Sequence, residues 1–211
     1  MFTNRKEAGK LLAEKLSYLK GDKIIVLAIP RGGVIVGDEI AKKLVCSLDV
    51  VISRKITPPD QPEYAIGAVM HDETLHVNWP SYSTDPYLIK EIADKKKEAR
   101  RRLKTFRGKY DYDLHDKTVI LVDDGIATGS SVFVILKWLS KQGVKKKIIA
   151  VPVIPKQTYD SMKRITDHII ALEVPEEFIS VSQFYKEFDQ VSDNEVLSIL
   201  NKYNNYTLCF V

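Results

Sequence analysis

A strand-like apolar run that ends in two acidic residues and a small-residue turn constrains this chain more than any other segment. Residues 119–131 read VILVDDGIATGSS. The β-branched start predicts a strand covered on both faces, and the end of the run predicts a turn that opens a helix. In doubly wound sheets, ligands bind where such strands give way to their helices. The run therefore predicts both a type of sheet and the place of a site.

The rest of the chain alternates between strand and helix patterns. Apolar runs predict strands at residues 23–29, 47–53, 118–122, 147–153 and 168–172, and amphipathic or capped patterns predict helices at 5–19, 34–45, 129–142, 157–164 and 193–203. This alternation predicts an α/β fold built on an open, doubly wound, mainly parallel sheet.

Residues 56–116 interrupt the alternation. They begin with the breaker-rich TPPDQP at 57–62, which predicts a loop, and continue with a hairpin pattern and a long charged helix at 86–106. We therefore expect one domain over 1–211, in which 56–116 form a flap or hood and 174–211 form a C-terminal segment.

Asp123 and Asp124 offer only acceptor oxygens when ionised, so together they suit the two donors of a vicinal diol such as that of ribose. The turn after them suits a phosphate, because it supplies backbone N–H groups at a helix N-terminus together with hydroxyl groups. The residues expected to bind phosphate are Ile126, Ala127, Thr128, Gly129, Ser130 and Ser131.

Two further groups of residues favour an anionic ligand. Arg31, Gly32 and Gly33 follow the first predicted strand and open a helix, which predicts a second anion-binding turn. Arg54 and Lys55 are expected to end the second predicted strand, at the same sheet edge as Arg31 and Asp123.

These segments resemble the type I phosphoribosyltransferases. The acidic pair and Thr-Gly turn resemble their phosphoribosyl pyrophosphate (PRPP) motif, and residues 30–33 resemble their pyrophosphate loop, where a non-proline cis peptide often occurs. Arg54 and Lys55 resemble the pyrophosphate-contacting pair of adenine and orotate transferases. Residues 5–203 also resemble bacterial and archaeal proteins known only as phosphoribosyltransferases.

The resemblance implies conflicting acceptor bases. Ala127 stands where hypoxanthine-guanine transferases carry an acidic residue, and it matches the adenine transferases, whose mobile-loop glutamate would correspond to Glu63. Phe178 and Ile179 instead resemble the base-binding segment of the 6-oxopurine transferases, with Phe178 stacking on the base and Ile179 offering its main chain. Lys156 would there reach a 6-oxo group.

The resemblance implies a pentosyltransferase that moves the 5-phosphoribosyl group of PRPP to a ring nitrogen, most simply of a purine-type base, and releases pyrophosphate. Asp123, Asp124 and Glu63 would be catalytic, and Mg²⁺ would be held by the two aspartates mainly through ribose hydroxyls or water. The expected partners are PRPP or pyrophosphate and a nucleobase or nucleoside monophosphate, while a homodimer is left open.

A second hypothesis is a catalytically silent regulator that binds PRPP or a nucleotide and contacts nucleic acid. The chain carries a formal charge of +4, but basic residues crowd positions 95–109. A solvated helix face explains that crowding more simply than RNA, so nucleic acid is the less favoured partner. No run of about 18 apolar residues predicts a membrane span, and the charged start lacks a signal-peptide core, which together predict a cytoplasmic protein.

Overall fold

The structure of the protein is a computed structural model, which describes residues 1–19, 23–58, 65–78 and 83–204. These residues contain eight strands and six α-helices. The strands are β1 (Ile24–Ala28), β2 (Ser47–Val50), β3 (Ser53–Ile56), β4 (Gly67–Met70), β5 (Leu75–Val77), β6 (Thr118–Val122), β7 (Lys146–Val153) and β8 (His168–Glu173). The helices are α1 (Arg5–Lys15), α2 (Gly32–Leu44), α3 (Pro86–Arg107), α4 (Ser130–Leu139), α5 (Lys156–Met162) and α6 (Asp193–Asn204), with a 3₁₀ helix at Val181–Phe184.

The larger sheet has five parallel strands in the order β2-β1-β6-β7-β8. The strand order reverses between β1 and β6, and Ala28 at the end of β1 pairs with Val122 at the end of β6. The loops that leave these two strands therefore emerge side by side, at the position where doubly wound sheets bind ligands. The predicted fold class is confirmed.

Alternate side chains of the central strands face two separate apolar cores. Val26 and Ile120 belong to the core under α1, α2 and α6, whereas Leu27 and Leu121 belong to the core under α4. Both central strands are fully buried, as their continuous apolar runs predict. Covering both faces fixes the sheet, so the loops at its edge are carried on a rigid base.

The smaller sheet is antiparallel, in the order β3-β4-β5, and α3 packs against it. The side chain of Asp85 caps the start of α3 by accepting from the amides of Tyr87 and Leu88, and Gly108 ends the helix with a φ of 71°. The hairpin and the long charged helix that the sequence predicts in this region are both present.

One strand assignment is wrong. Arg54 and Lys55 do not end the second strand of the main sheet, because β2 stops at Val50 and both residues lie inside β3 of the smaller sheet. The apolar run continues through the buried Val51 and Ile52, so the sequence pattern does not mark where the chain leaves one sheet for the other.

The N-terminal segment pairs with the segment that follows the 3₁₀ helix. Phe2 donates its amide to the Phe184 carbonyl (2.7 Å) and accepts from the Lys186 amide (2.8 Å), and its ring contacts the Tyr185 ring. This pairing fixes the start of α1 beside residues 184–189, above the edge where β1 and β6 end. None of the helices within the described residues combines the length and the apolarity needed to cross a membrane.

Candidate active site

A cleft of about 800 Å³ opens at the carboxyl ends of β1 and β6. The loops after both strands line it, β3 of the smaller sheet and the neighbouring α3 contribute further residues, and Phe188, Gln190 and Val191 contribute from the C-terminal segment. The predicted site residues that line it are Arg31, Gly32, Arg54, Lys55, Asp123, Asp124 and Ser131. The structure thus brings together the two groups of cations and the acidic pair, although Arg54 and Lys55 reach the cleft from a different sheet than expected.

The acidic pair lies at the floor of the cleft, directly after β6. The Asp124 amide donates to Oδ1 of Asp123 (2.8 Å), and the Asp124 carboxylate pairs with Arg5 (2.7 Å). Burial, and then the charge of Asp124, raise the pKa of Asp123 well above its usual range. The two carboxylates therefore differ, since Asp124 forms an ion pair with Arg5, whereas Asp123 forms none within the described part of the chain.

The turn between β1 and α2 forms one wall. The peptide bond between Pro30 and Arg31 is cis, and the amides of residues 31–33 have no backbone acceptor among the described residues. A Cβ at Gly32 would collide with the Asp124 carboxylate, so the close approach requires glycine. This turn therefore offers free N–H groups beside the acidic pair.

The predicted phosphate loop connects Asp124 to α4. Gly129 adopts a φ of 77°, which glycine accommodates readily, and Thr158 donates to the Ala127 carbonyl (2.9 Å), which fixes the loop from α5. The amides of residues 127–131 find no backbone acceptor within the described part of the chain. The amide of Ile126 is already used, because it donates to the Val153 carbonyl (2.9 Å).

Arg54 and Lys55 face the cleft from β3. The Arg54 guanidinium pairs with Glu98 of α3 at 3.0 Å, and burial lowers its pKa against the opposing effect of Glu98. Arg31, on the opposite wall, lies 3.8 Å from Asp193, which also pairs with Arg102. Each of the two arginines predicted to bind pyrophosphate thus has a carboxylate partner, and a more highly charged ligand could take the place of that partner.

The residues predicted to recognise the base lie elsewhere. The Phe178 ring stacks on Phe184 with 5.9 Å between centroids, and Ile179 is 92% exposed with its amide bound by Gln183. Lys156 pairs with Asp160 on α5. None of Phe178, Ile179 and Lys156 is among the described residues that line the cleft, and Glu63 lies outside the described residues.

Sequence reasoning missed Arg5, whose guanidinium reaches the acidic pair and covers the Phe188 ring at 3.8 Å. One signal could have pointed to it. Arg5 occupies the first position of α1, where the helix dipole disfavours a cation, and such a breach of a local rule is common at functional sites.

Most of the basic side chains between residues 95 and 109 have partners inside the protein. These contacts are Lys95 with Glu91, Lys96 with Glu73, Lys97 with Asp94, Arg100 with the His71 carbonyl, Arg102 with Asp193, and Arg107 with Asp49. The surface of this segment therefore carries much less unpaired positive charge than the number of its basic residues suggests.

At the point where the strand order of the open α/β sheet reverses, the acidic pair lies beside two turns that open helices, and Arg31, Arg54 and Lys55 line the same cleft. The sequence profile of the phosphoribosyl transferase domain matches residues 3–189, and the chain belongs to that family.

Curated relatives and solved structures resemble the chain over most of its length. Two curated proteins from Mycobacterium tuberculosis, strains CDC 1551 / Oshkosh and H37Rv, are provisionally named phosphoribosyl transferases; each is 35% identical over 211 residues, covering 96% of this chain and 47% of its own. The chain thus spans about half the length of the curated relatives it matches. The crystal structure of TT1426 from Thermus thermophilus superposes with a TM-score of 0.81 at 36% identity, covering 96% of this chain and 99% of that one. AQ2163 from Aquifex aeolicus shares the fold, with a TM-score of 0.51 at 12% identity over 81% of this chain and 74% of its own.

Proposed function

We propose that the protein transfers the 5-phosphoribosyl group of PRPP to a ring nitrogen of a nucleobase and releases pyrophosphate. The observation that carries this proposal is the cleft itself, in which Asp123 and Asp124 lie between two turns whose amides have no backbone acceptor among the described residues, and share the lining with Arg31, Arg54 and Lys55. A sugar diol bound between a phosphate and a pyrophosphate presents the complementary pattern of donors and negative charges.

In the proposed reaction, the bond between the anomeric carbon and pyrophosphate breaks as the acceptor nitrogen forms its bond to that carbon. Positive charge develops on the ribose ring, so the Asp124 carboxylate stabilises it from the diol side. The leaving group gathers negative charge, which Arg31, Arg54 and Lys55 offset. Holding the sugar and the base in line supplies much of the remaining rate enhancement.

Magnesium is the cofactor that the family implies. Among the described residues no cluster of three or more His, Cys, Asp or Glu side chains could hold a metal ion. The donors that are present, Asp123 and Asp124, fit an ion bound chiefly by substrate oxygens and water, the mode that Mg²⁺ favours. The ion would there neutralise pyrophosphate charge, while the aspartates orient the hydroxyls that contact it.

We propose a purine-type acceptor, because Ala127 resembles the adenine transferases. The segment with Phe178 and Ile179 resembles the 6-oxopurine transferases, although these two residues do not line the cleft. Glu63 is the proposed group that approaches the base, from a lid over residues 56–78. Residues 59–64, which include Glu63, lie outside the described residues, so both the lid and the role of Glu63 stay predictions.

A panel of purine and pyrimidine bases, incubated with PRPP and Mg²⁺ and followed by pyrophosphate release, tests the proposal. We expect turnover with at least one purine-type base. Asp124→Asn should lower kcat/KM by about 100-fold or more, because it removes a charge that acts in the transition state. The matched control is Asp113→Asn, at a carboxylate that is 85% exposed and bound to Lys117, and it should turn over like the wild type.

Absence of turnover with every base, from protein that still binds PRPP, would contradict the transferase proposal. Full activity of Asp124→Asn would instead show that the ribose site has been assigned to the wrong carboxylate.

A further inference from the structure

We propose that Arg5 is a positioning residue of the phosphoribosyl site, which holds the Asp124 carboxylate in the orientation that accepts a ribose hydroxyl. This inference rests on the proposed function, and it extends the site to a side chain that neither the acidic pair nor the two anion-binding turns includes.

Three contacts fix the Arg5 guanidinium. Its Nε donates to Oδ2 of Asp124 (2.7 Å), its Nη1 donates to the Asp189 carbonyl (2.8 Å), and its plane lies over the Phe188 ring at 3.8 Å from the centroid. The Arg5 side chain is 11% exposed and that of Asp124 is 17% exposed. A planar guanidinium held at this many points is far more directional than a solvated surface cation.

The backbone of Asp124 is fixed as well, so Arg5 controls the remaining freedom of the carboxylate. The Tyr185 hydroxyl donates to the Asp124 carbonyl (2.6 Å), and the Asp124 amide donates to Asp123. Rotation of the side chain would still turn its oxygens away from a ligand. Because Arg5 binds Oδ2, it fixes the direction in which the second oxygen, Oδ1, would accept a hydroxyl.

The fold maintains this contact from two elements that are distant in sequence. Pairing of Phe2 with residues 184–186 sets the start of α1, and Glu187 donates its amide to the Thr3 carbonyl (2.9 Å). Arg5 then follows at the first turn of α1, while Phe188 and Asp189 approach from the other segment. The contact places a cation where the helix dipole disfavours it, so helix stability does not account for it.

A positioning role predicts that Arg5 affects the recognition of ribose hydroxyls more than the recognition of phosphate. Ribose 5-phosphate and 2,3-dideoxyribose 5-phosphate, each titrated with Mg²⁺ present in a calorimeter, separate the two contributions. Arg5→Gln should weaken the binding of ribose 5-phosphate by about 10- to 100-fold, the loss expected for a misdirected charge-assisted hydrogen bond. It should change the affinity for the dideoxy ligand by less than about 3-fold.

Three further variants sharpen the test. Arg5→Lys keeps the charge but not the planar fork, so it should retain intermediate discrimination between the two ligands. The double variant Arg5→Gln/Asp124→Asn should bind ribose 5-phosphate about as weakly as Asp124→Asn alone, because both changes remove the same contact. Lys10→Gln, at an exposed position of α1, is the matched control and should bind like the wild type.

If Arg5→Gln weakens the binding of both ligands equally, the inference is overturned, because the loss would indicate general damage to the site. Unchanged binding of both ligands would overturn it as well. If Arg5→Gln does not fold, as judged by circular dichroism, Arg5→Lys carries the test under the same criterion. Wild-type protein that binds neither PRPP nor ribose 5-phosphate would overturn the proposed function, and the inference with it.

Discussion

Asp123 lies half-buried at the carboxyl end of β6 with the Asp124 carboxylate beside it. Burial and that neighbouring charge both raise its pKa, which means that ionising Asp123 costs more in the folded protein than in the unfolded chain. The folded state therefore holds the proton more tightly. The cost is absent below the unfolded pKa, roughly 3.9, and it grows as the pH rises through the folded value.

Asp123→Asn should consequently stabilise the protein at pH 8, even though it removes a residue of the candidate site. We expect a rise in Tm of about 2–4 °C, the shift that about 1 kcal/mol produces in a domain of this size. The gain should shrink as the pH falls toward 5, because the cost of ionising the wild-type Asp123 carboxyl decreases with pH. Differential scanning calorimetry across that range measures it.

The control for this prediction is Asp113→Asn. Hydrogen bonding to Lys117 lowers the pKa of Asp113, so this carboxylate behaves in the opposite sense and its amide variant should show no rise in Tm. A Tm gain in Asp123→Asn that is equally large at pH 5 and pH 8 would contradict an origin in ionisation.

Single residues also show how far the sequence could predict the site. The acidic pair, the glycines and Arg31 lie in short segments whose chemistry is local, so their pattern predicts their positions at the end of a strand. Arg5 lies 119 positions from the carboxylate that it binds. Its role depends on the pairing of two segments that carry no pattern relating them to each other.

At the scale of elements, the sequence predicts those whose burial follows a simple period. The fully buried β1 and β6 are predicted within two residues of their observed bounds, and the long α3 within one residue at its end. The 3₁₀ helix at Val181–Phe184 has no such period and was not predicted. The sequence pattern does not show the boundary between β2 and β3 either, because the apolar run continues without a break from the end of β2 through Val51 and Ile52.

The attachment of α3 to the main sheet depends on Arg107. Its side chain is 4% exposed, its Nε donates to both carboxylate oxygens of Asp49 on β2 (2.8 and 2.9 Å), and it stacks on Tyr112 at 3.6 Å. Breaking such a buried pair leaves a poorly solvated charge behind.

Arg107→Ala should therefore lower the free energy of unfolding by about 3 kcal/mol, near the lower end of the range for buried pairs because Asp49 is partly exposed. Urea titration followed by tryptophan fluorescence measures the loss, with Trp138 in contact with Tyr112 as a local reporter. Arg101→Ala, at an exposed position of the same helix, should change stability by less than about 0.5 kcal/mol. Similar losses in both variants would contradict this account of the attachment.

The whole molecule joins its functional parts at one sheet edge, since both sheets, α3 and the paired terminal segments meet around the cleft. Its charges are organised in the same way. Arg54 in the cleft pairs with Glu98 of α3, and two arginines of α3 pair with other parts of the fold, Arg102 with Asp193 of α6 and Arg107 with Asp49 of β2. A formal charge of +4 therefore overstates the positive surface available to a polyanion outside the cleft.

This distribution distinguishes the transferase from the nucleic-acid-binding regulator. A regulator would present its basic helix to the phosphate backbone and would bind polynucleotides with a steep dependence on salt. Because most of the α3 cations already have partners, we expect only nonspecific binding of single-stranded RNA and duplex DNA, with a Kd above about 10 µM near 0.15 M salt. Fluorescence anisotropy with labelled 20-mers measures it.

The double variant Arg101→Gln/Lys104→Gln removes two exposed cations of α3 and should change this weak binding by less than about 3-fold. Submicromolar affinity that this variant abolishes would favour the regulator instead.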